Sequence, residues 1–380
     1  MKQLNFIKKN TLEWRDIDTP KLESPDDVIV RPLAAARCDA DKAFLFFDAS
    51  RLLKMGMGVH YIDPITKKIF GENPFKGPFP IGHECVGEIA EVGQEVKNFK
   101  KGDKVIVPWA ISCGGCSHCL SGLTSKCQEA GETMFSAFGF GEAMGPWGGM
   151  ITDQIRVPYA NQMLVKVPEG IDHISLASAS DNIPDGWRTV GPQLRKNPGA
   201  PVLVLGGSAA SVGLYAAGIA VALGSEQVDY VDYSESRLKI AIELGANAIR
   251  IPKTKRKRWY KNNSPEIGGK YPIVADCAMN PDALRFGMRS LAPGGICTSV
   301  GFYFQKGTSL PMMQMYGNDS TFHTGISHAR ASLPDVLQLI QTGKFQPEKI
   351  TTCLAKWEDA EQAYLERTTK VVVHRESIFT

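Results

Sequence analysis

Four of the nine cysteines lie in one short segment and have the chemistry to hold a metal ion. They follow the spacing Cys-x2-Cys-x2-Cys-x7-Cys, at Cys113, Cys116, Cys119 and Cys127. Four thiolates around a tetrahedral ion are typical of structural zinc, which keeps no open position. The alternatives are an iron–sulfur cluster and four unliganded thiols. A bacterial ferredoxin motif places its fourth cysteine after x3 and before Pro, whereas Gln128 follows here. The spacing therefore predicts a structural zinc ion.

A second motif is a glycine-rich turn that leads from a predicted strand into an Ala-rich helix. It runs from Gly206 and Gly207 through Ser208 to Gly213. Backbone N–H groups and the positive end of a helix at such a turn bind a pyrophosphate. Asp232 ends the next predicted strand, at the distance from Gly213 that this motif requires. A carboxylate there accepts hydrogen bonds from a ribose 2′-OH and repels a 2′-phosphate, so NAD is favoured over NADP. The alternative role for Asp232 is the N-cap of the next helix.

The stretch Gly82-His83-Glu84-x2-Gly87-x5-Gly93-x2-Val96 is the most specific in the chain. It resembles the signature of the zinc-containing alcohol dehydrogenases of the medium-chain dehydrogenase/reductase family. The four-cysteine spacing and the position of the glycine-rich turn fit the same family over essentially the whole chain. The resemblance implies reversible oxidation of an alcohol to an aldehyde or ketone, with an aldehyde hydrate as the other candidate hydride donor. It also implies one structural and one catalytic zinc, with NAD as the hydride acceptor.

The resemblance further implies the ligands of the catalytic zinc, namely Cys38, His83 and a residue near position 181. Many members carry cysteine at the third position. This chain resembles the formaldehyde dehydrogenase branch, in which an Asp is the ligand, so we predict Asp181 with Asp185 as the second choice. Glu84 resembles the carboxylate of the family that either replaces a zinc ligand or lies directly behind the ligands. Asp41 is predicted to orient the His83 ring.

The resemblance also implies two cofactor contacts, and it shows that this chain lacks the proton-relay residues of many members. Arg237 resembles a basic residue that contacts the adenosine ribose. Lys370 resembles one that contacts the pyrophosphate, although a surface lysine is the alternative. Ala40 and Ala43 stand where members carry a hydroxyl group and a histidine for proton transfer. Proton release is therefore expected through water, Asp41 or His60.

An additional segment, at about positions 44–79, separates the first two predicted zinc ligands and is rich in aromatic residues and methionine. Two interpretations remain open. The segment is either a lid over the substrate pocket or a surface excursion that contacts another subunit.

The elements that must position these residues differ along the chain. Short β-branched runs separated by turns fill the chain before Asp181, whereas strands and helices alternate after it. We predict an α/β protein whose β-rich domain covers 1–182 and 324–380, and the family resemblance implies that this domain is a GroES-like catalytic domain with a zinc lobe at about 110–130. A Rossmann domain with a doubly wound parallel sheet is predicted over 183–323.

Composition narrows the remaining possibilities. The 380 residues carry 43 Lys and Arg against 40 Asp and Glu, which is too balanced to indicate a nucleic-acid partner. No secretory signal or membrane-spanning stretch is evident, so a cytoplasmic protein is expected. The family resemblance implies a homodimer or homotetramer that acts on a small-molecule alcohol or aldehyde. Two alternatives stay open: a non-catalytic scaffold that binds cofactor, and a nucleic-acid-binding zinc protein that uses the basic run 253–258. Zinc-free quinone reductases share the fold but lack both metal motifs.

Overall fold

The structure is a computed structural model that describes residues 1–131, 135–265 and 269–379. The chain divides into two compact units. The first comprises residues 1–181, 328–337 and 351–380, and the second comprises residues 182–327 and 338–350. Segment 338–350 belongs to the second unit, whereas the sequence-based division placed it in the catalytic domain.

The first part of the chain is rich in strands. These are β1 (Lys2–Lys8), β2 (Thr11–Asp16), β3 (Val28–Ala36), β4 (Phe79–Pro80), β5 (Glu84–Val92), β6 (Lys104–Val107), β7 (Ile155–Val157) and β8 (Val165–Lys166). Its helices are α1 (Asp41–Phe46), α2 (Ala49–Gly58), α3 (Ile65–Phe70), α4 (Ser117–Leu120) and α5 (Ala160–Met163). Short 3-10 turns cover Thr124–Lys126, Glu142–Met144 and Ala177–Ser180.

Strands and helices alternate in the second unit. The strands are β9 (Val202–Leu205), β10 (Val228–Asp232), β11 (Asn247–Arg250), β12 (Tyr271–Asp276), β13 (Leu291–Ser299) and β14 (Thr321–Thr324). The helices are α6 (Asn182–Lys196), α7 (Ala210–Ala222), α8 (Glu235–Glu243), α9 (Arg256–Asn263), α10 (Pro281–Arg289) and α11 (Met312–Asn318). All strand pairs in this sheet are parallel, in the order β11-β10-β9-β12-β13-β14. The strand β9 lies inside the sheet and is buried throughout, as its uninterrupted apolar sequence requires.

The last part of the chain contains α12 (Ala329–Gln341), α13 (Ala360–Tyr364), β15 (Cys353–Lys356) and β16 (Val371–His374), with 3-10 turns at Pro347–Ile350 and Trp357–Asp359. The two strands join the main sheet of the first unit, which has the order β15-β16-β3-β5-β6-β8, with β7 also paired to β3. A smaller sheet has the order β2-β1-β4.

The register of the main sheet decides where the predicted zinc ligands meet. Strands β3 and β5 are antiparallel, and Ala36 pairs with Glu84. Cys38 lies just after the end of β3, and His83 directly precedes β5. Cys38 and His83 therefore lie at the same end of these two central strands, although they are far apart in sequence.

The additional segment 44–79 folds as the end of α1, then α2 and α3, and returns through β4. Phe44, Leu53 and Phe70 are buried, whereas Leu52, Met55 and Val59 are exposed. Among the described residues, no helix is long and apolar enough to cross a bilayer.

Candidate active site

Cys38, His83 and Asp181 converge to form what we call the three-residue site. Their metal-binding atoms lie within 4.8 Å of one another. Asp181 Oδ2 is 3.4 Å from Cys38 Sγ and 3.7 Å from His83 Nε2. Cys38 and His83 are buried and Asp181 is partly exposed. Three ligands of these types leave the fourth tetrahedral position open, as in catalytic zinc sites.

A serine fixes the position of Asp181. Ser180 Oγ donates to the Cys85 carbonyl and accepts from the Cys85 N–H, both at 2.9 Å. The Ser180 carbonyl also accepts a hydrogen bond from the Trp109 N–H at 3.2 Å. These bonds attach the 3-10 turn to β5. They place Asp181 near the end of β5 that His83 precedes.

The His83 ring is held from two sides. Its Nδ1 lies 3.6 Å from Asp41 Oδ1, and its face stacks on Phe140 with ring centroids 4.5 Å apart. Asp41 is itself fixed, because its Oδ2 accepts the Cys38 N–H at 3.1 Å. A proton assigned to Nδ1 and directed at Asp41 leaves the Nε2 lone pair toward Cys38 and Asp181, as a ligating histidine requires.

The electrostatics of the three-residue site favour a cation. Burial raises the pKa of the Cys38 thiol well above its ordinary value, and Asp181, Glu84 and Asp41 raise it further. A thiol surrounded by carboxylates deprotonates readily only when a positive ion lies beside it. The donor set therefore fits a divalent zinc ion, with one soft sulfur, one imidazole and one carboxylate.

Glu84 and Lys370 form a completely buried ion pair next to this site, with Nζ and Oε2 2.5 Å apart. Lys370 also donates to the Arg37 carbonyl at 3.1 Å. Burial raises the pKa of Glu84 to about 7, against the opposing effect of the Lys370 ammonium. The predicted contact of Lys370 with a pyrophosphate stays a prediction, since its ammonium group is here bound to Glu84.

The predicted structural-zinc cysteines also converge, and we call them the four-cysteine loop. Their sulfur atoms lie within 4.8 Å of one another. Backbone N–H groups point at the sulfurs: Cys116 N–H donates to Cys113 Sγ at 3.3 Å, and Cys113 N–H donates to Cys127 Sγ at 3.3 Å. Such bonds stabilise thiolates, and this donor set fits a closed tetrahedral zinc site.

The glycine-rich turn connects β9 to α7 and is closely packed at its first two glycines. A Cβ on Gly206 would lie 2.4 Å from Asp232 Oδ2, and one on Gly207 would lie 2.6 Å from Ala278 Cα. Gly213 is in the first turn of α7, where a Cβ would meet Cys277 Cβ at 3.3 Å. Ser208 is exposed at the turn. The N-terminus of α7 thus follows a turn of the kind that binds phosphate.

Asp232 is buried at the end of β10 and accepts several hydrogen bonds. Arg237 binds both of its oxygens, with Nε 2.7 Å from Oδ2 and Nη2 2.6 Å from Oδ1. The Tyr230 hydroxyl donates to Oδ2 at 2.9 Å, and the Tyr233 and Ser234 N–H groups donate to Oδ1. Asp232 and Arg237 therefore neutralise each other.

Comparison with known proteins decides the family. Residues 24–169 match the alcohol dehydrogenase GroES-like domain, and residues 211–342 match the zinc-binding dehydrogenase domain. Together the two models match well over half of the chain. The chain belongs to the zinc-containing alcohol dehydrogenases of the medium-chain dehydrogenase/reductase family. The predicted family, the α/β fold with its GroES-like and Rossmann domains, and the class of oxidoreductase are thereby confirmed.

Several zinc-type alcohol dehydrogenase relatives match most of the chain. The uncharacterized zinc-type alcohol dehydrogenase-like protein AdhB of Bacillus subtilis is 25% identical, with 96% of each chain covered. The probable D-xylulose reductase A of Emericella nidulans is 26% identical over 95% of this chain and 92% of its own length. The glutathione-independent formaldehyde dehydrogenase of Bacillus subtilis is 32% identical over 62% of this chain and 58% of its own length.

The solved structure of alcohol dehydrogenase TADH from Thermus sp. ATN1 has the same fold. It aligns with a TM-score of 0.80 and 24% identity, covering 98% of this chain and 99% of the other. An alcohol dehydrogenase of this family acts on a small-molecule alcohol or carbonyl compound.

The structure of the present chain separates the two Asp candidates for the third ligand. Asp181 lies with Cys38 and His83, whereas Asp185 lies in α6 and binds Arg188 Nε at 2.6 Å. The two proposed proton acceptors also differ, because Asp41 is buried and His60 is exposed.

Sequence reasoning missed Phe140 and Ser180, which support the three-residue site. Ser180 directly precedes the predicted ligand Asp181, and this adjacency could have indicated that Ser180 positions it. Phe140 is distant from His83 in the sequence, and no spacing pattern indicates that the two rings stack.

Proposed function

We propose that the chain transfers hydride from a small alcohol to NAD, giving an aldehyde or ketone, or from an aldehyde hydrate to NAD, giving a carboxylic acid. The convergence of Cys38, His83 and Asp181 on one point carries this proposal. In a zinc-containing alcohol dehydrogenase, an incomplete ligand set of this kind serves catalysis rather than structure.

Each residue near the three-residue site has a distinct task. Cys38, His83 and Asp181 would hold the catalytic zinc, and the four-cysteine loop would hold the structural zinc. When bound, the catalytic zinc supplies a Lewis acid that stabilises negative charge on the substrate oxygen. Asp41 would orient His83, and of the two side chains proposed for proton release it is the one that faces a zinc ligand, with Oδ1 3.6 Å from His83 Nδ1.

The Glu84–Lys370 pair balances charge beside the site. With the Asp181 and Asp41 carboxylates and the Cys38 thiol nearby, the buried Lys370 ammonium lowers the local excess of negative charge. We propose that Glu84, held by Lys370, lies beside the residues that would hold the catalytic zinc and keeps a carboxylate available there as an alternate ligand.

The coenzyme is proposed to be NAD, held at Gly206, Gly207, Ser208 and Gly213. The mutual neutralisation of Asp232 and Arg237 leaves little positive charge for a 2′-phosphate, so NADP is disfavoured. The ribose contacts of Asp232 and Arg237 are part of this proposal. We also propose a homodimer or homotetramer, as in other members of the family.

Zinc per chain, measured by elemental analysis, tests the proposal together with an NAD-coupled screen of alcohols and aldehydes. The native chain should contain two zinc ions. Asp181→Ala should lose one ion and its turnover, whereas the matched control Asp185→Ala should keep both ions because Asp185 binds Arg188 instead.

Two results would contradict the proposal. Full turnover in Asp181→Ala would show that Asp181 is not a ligand of the catalytic zinc. Two zinc ions per chain without turnover on any alcohol or aldehyde would favour the non-catalytic scaffold.

A further inference from the structure

The additional segment 44–79 forms a groove with the end of β1 that the proposed reaction does not use. The groove has a volume of about 640 Å³, within the usual range for small-molecule sites. The groove is lined by residues 6–9 and 75–77, and between them by Phe44, residues 47–51, Lys54 and Met55. Gly77 allows the close approach of these chains, since a Cβ there would lie 2.2 Å from the Ile7 carbonyl oxygen.

Aromatic rings form the floor of the groove. Phe44 contacts Phe6 and Phe75, with ring centroids 5.1 Å and 5.5 Å apart. Phe6 and Phe44 are buried, so the floor is held by the core of the first unit. Phe75 has a φ of +55°, a costly backbone conformation for a bulky residue, and its ring stacks on Phe44.

Apolar side chains on the wall remain open to water. Phe47 is 57% exposed and Met55 is 59% exposed, and both line the groove. A ligand with a hydrocarbon portion would cover them at a gain of roughly 25 cal/mol per Å² of apolar area removed from water.

The rim of the groove is strongly cationic. Its basic side chains are Lys8, Lys9, Arg51, Lys54 and Lys76. The acidic residue of the lining is Asp48, whose carboxylate caps α2 by accepting the Arg51 N–H at 3.1 Å. Within the ranges that the structure describes, none of the five basic side chains forms an ion pair with a carboxylate. The groove therefore combines an apolar floor with an excess of positive charge.

We propose that this groove binds an amphiphilic carboxylate, with its hydrocarbon chain against the exposed Phe47 and Met55 side chains and its carboxylate at the cationic rim. A second copy of the chain is a poorer occupant, because a two-fold contact would place these like charges against one another. The proposal concerns binding alone and does not depend on the proposed zinc chemistry.

Isothermal titration of monomeric decanoate into the zinc-loaded full chain tests the proposal. Arg51→Glu and Lys54→Glu reverse a charge at exposed rim positions and should each raise Kd at least about tenfold. Lys68→Glu is the matched control: it makes the same charge change on the same segment but does not line the groove. Its Kd should match that of the native chain, and the neutral analogue decanamide should bind more weakly than decanoate.

Three results would overturn the proposal. Equal Kd values in all variants would place the carboxylate elsewhere, for example at the catalytic zinc. Absence of decanoate binding, combined with rim-dependent binding to phosphatidylglycerol vesicles, would make the groove a membrane contact. Loss of decanoate binding in Asp181→Ala would assign the ligand to the three-residue site.

Discussion

The two candidate metal sites of the first unit are built in opposite ways. The four-cysteine loop collects its ligands from the single segment 113–127, and three of its four cysteines are partly exposed. The three-residue site collects its ligands from positions 38, 83 and 181, and two of the three are buried. A local, closed set of thiolates holds a loop in shape, whereas a dispersed and incomplete set depends on the whole sheet for its geometry. Stability and chemistry should therefore separate between the two sites.

The strongest test of that separation is His83→Ala. It removes the imidazole ligand, so one zinc ion per chain should be lost and kcat should fall by at least about 1,000-fold, which corresponds to several kcal/mol of transition-state stabilisation. Elemental analysis and steady-state kinetics measure the two effects. His173→Ala is the control, because it removes a partly buried histidine of the same unit that belongs to neither metal group. Equal loss of activity in both variants would contradict the separation.

Removing a ligand from the four-cysteine loop should chiefly affect stability. Cys119→Ser should release the structural zinc and lower the free energy of unfolding by about 4 kcal/mol when free zinc exceeds its Kd 1,000-fold. Thermal unfolding with and without added zinc measures this loss. Cys353→Ser is the control, since Cys353 is a partly buried thiol in β15 outside both groups. A larger fall in kcat for Cys119→Ser than for His83→Ala would instead assign the catalytic role to the four-cysteine loop.

The same contrast explains what could be predicted from sequence. The four-cysteine loop was evident from spacing, because its ligands and their turns are local. The three-residue site required a family resemblance, because pairing of Ala36 with Glu84 brings Cys38 and His83 together only in the folded sheet. The strand–helix alternation of the second unit was also predictable, because short apolar runs such as β9 alternate with longer helix-forming segments such as α7. The stacking of Phe140 on His83 and the groove at α2 depend on tertiary packing, for which the sequence has no short-range signal.

Asp41→Asn tests whether the dispersed site depends on its surroundings. Asn keeps an oxygen for the Cys38 N–H but removes the negative charge that faces His83 Nδ1. Zinc affinity at the three-residue site should fall about 10- to 100-fold, as measured by competition with a chelator. Asp39→Asn is the matched control two positions earlier, where the carboxylate pairs with Lys42 at 2.7 Å. Unchanged affinity in Asp41→Asn would show that the ligand geometry holds without this partner.

Substitutions at two adjacent glycines of the four-cysteine loop should have the smallest effects and should act only on the local backbone. Gly114 has a φ of +72°, and a Cβ there would lie 2.7 Å from Gln162 Cβ, whereas a Cβ on Gly115 would meet nothing within 4 Å. Gly114→Ala should therefore cost about 1–2 kcal/mol of unfolding free energy for its left-handed backbone, while Gly115→Ala should stay within about 0.5 kcal/mol of the native chain. Thermal unfolding of the zinc-loaded protein measures the difference. Neither change should alter kcat, because the loop supports the shape of its lobe and takes no part in the chemistry. A drop in kcat for Gly114→Ala without a drop in stability would mean that the loop acts on the reaction itself.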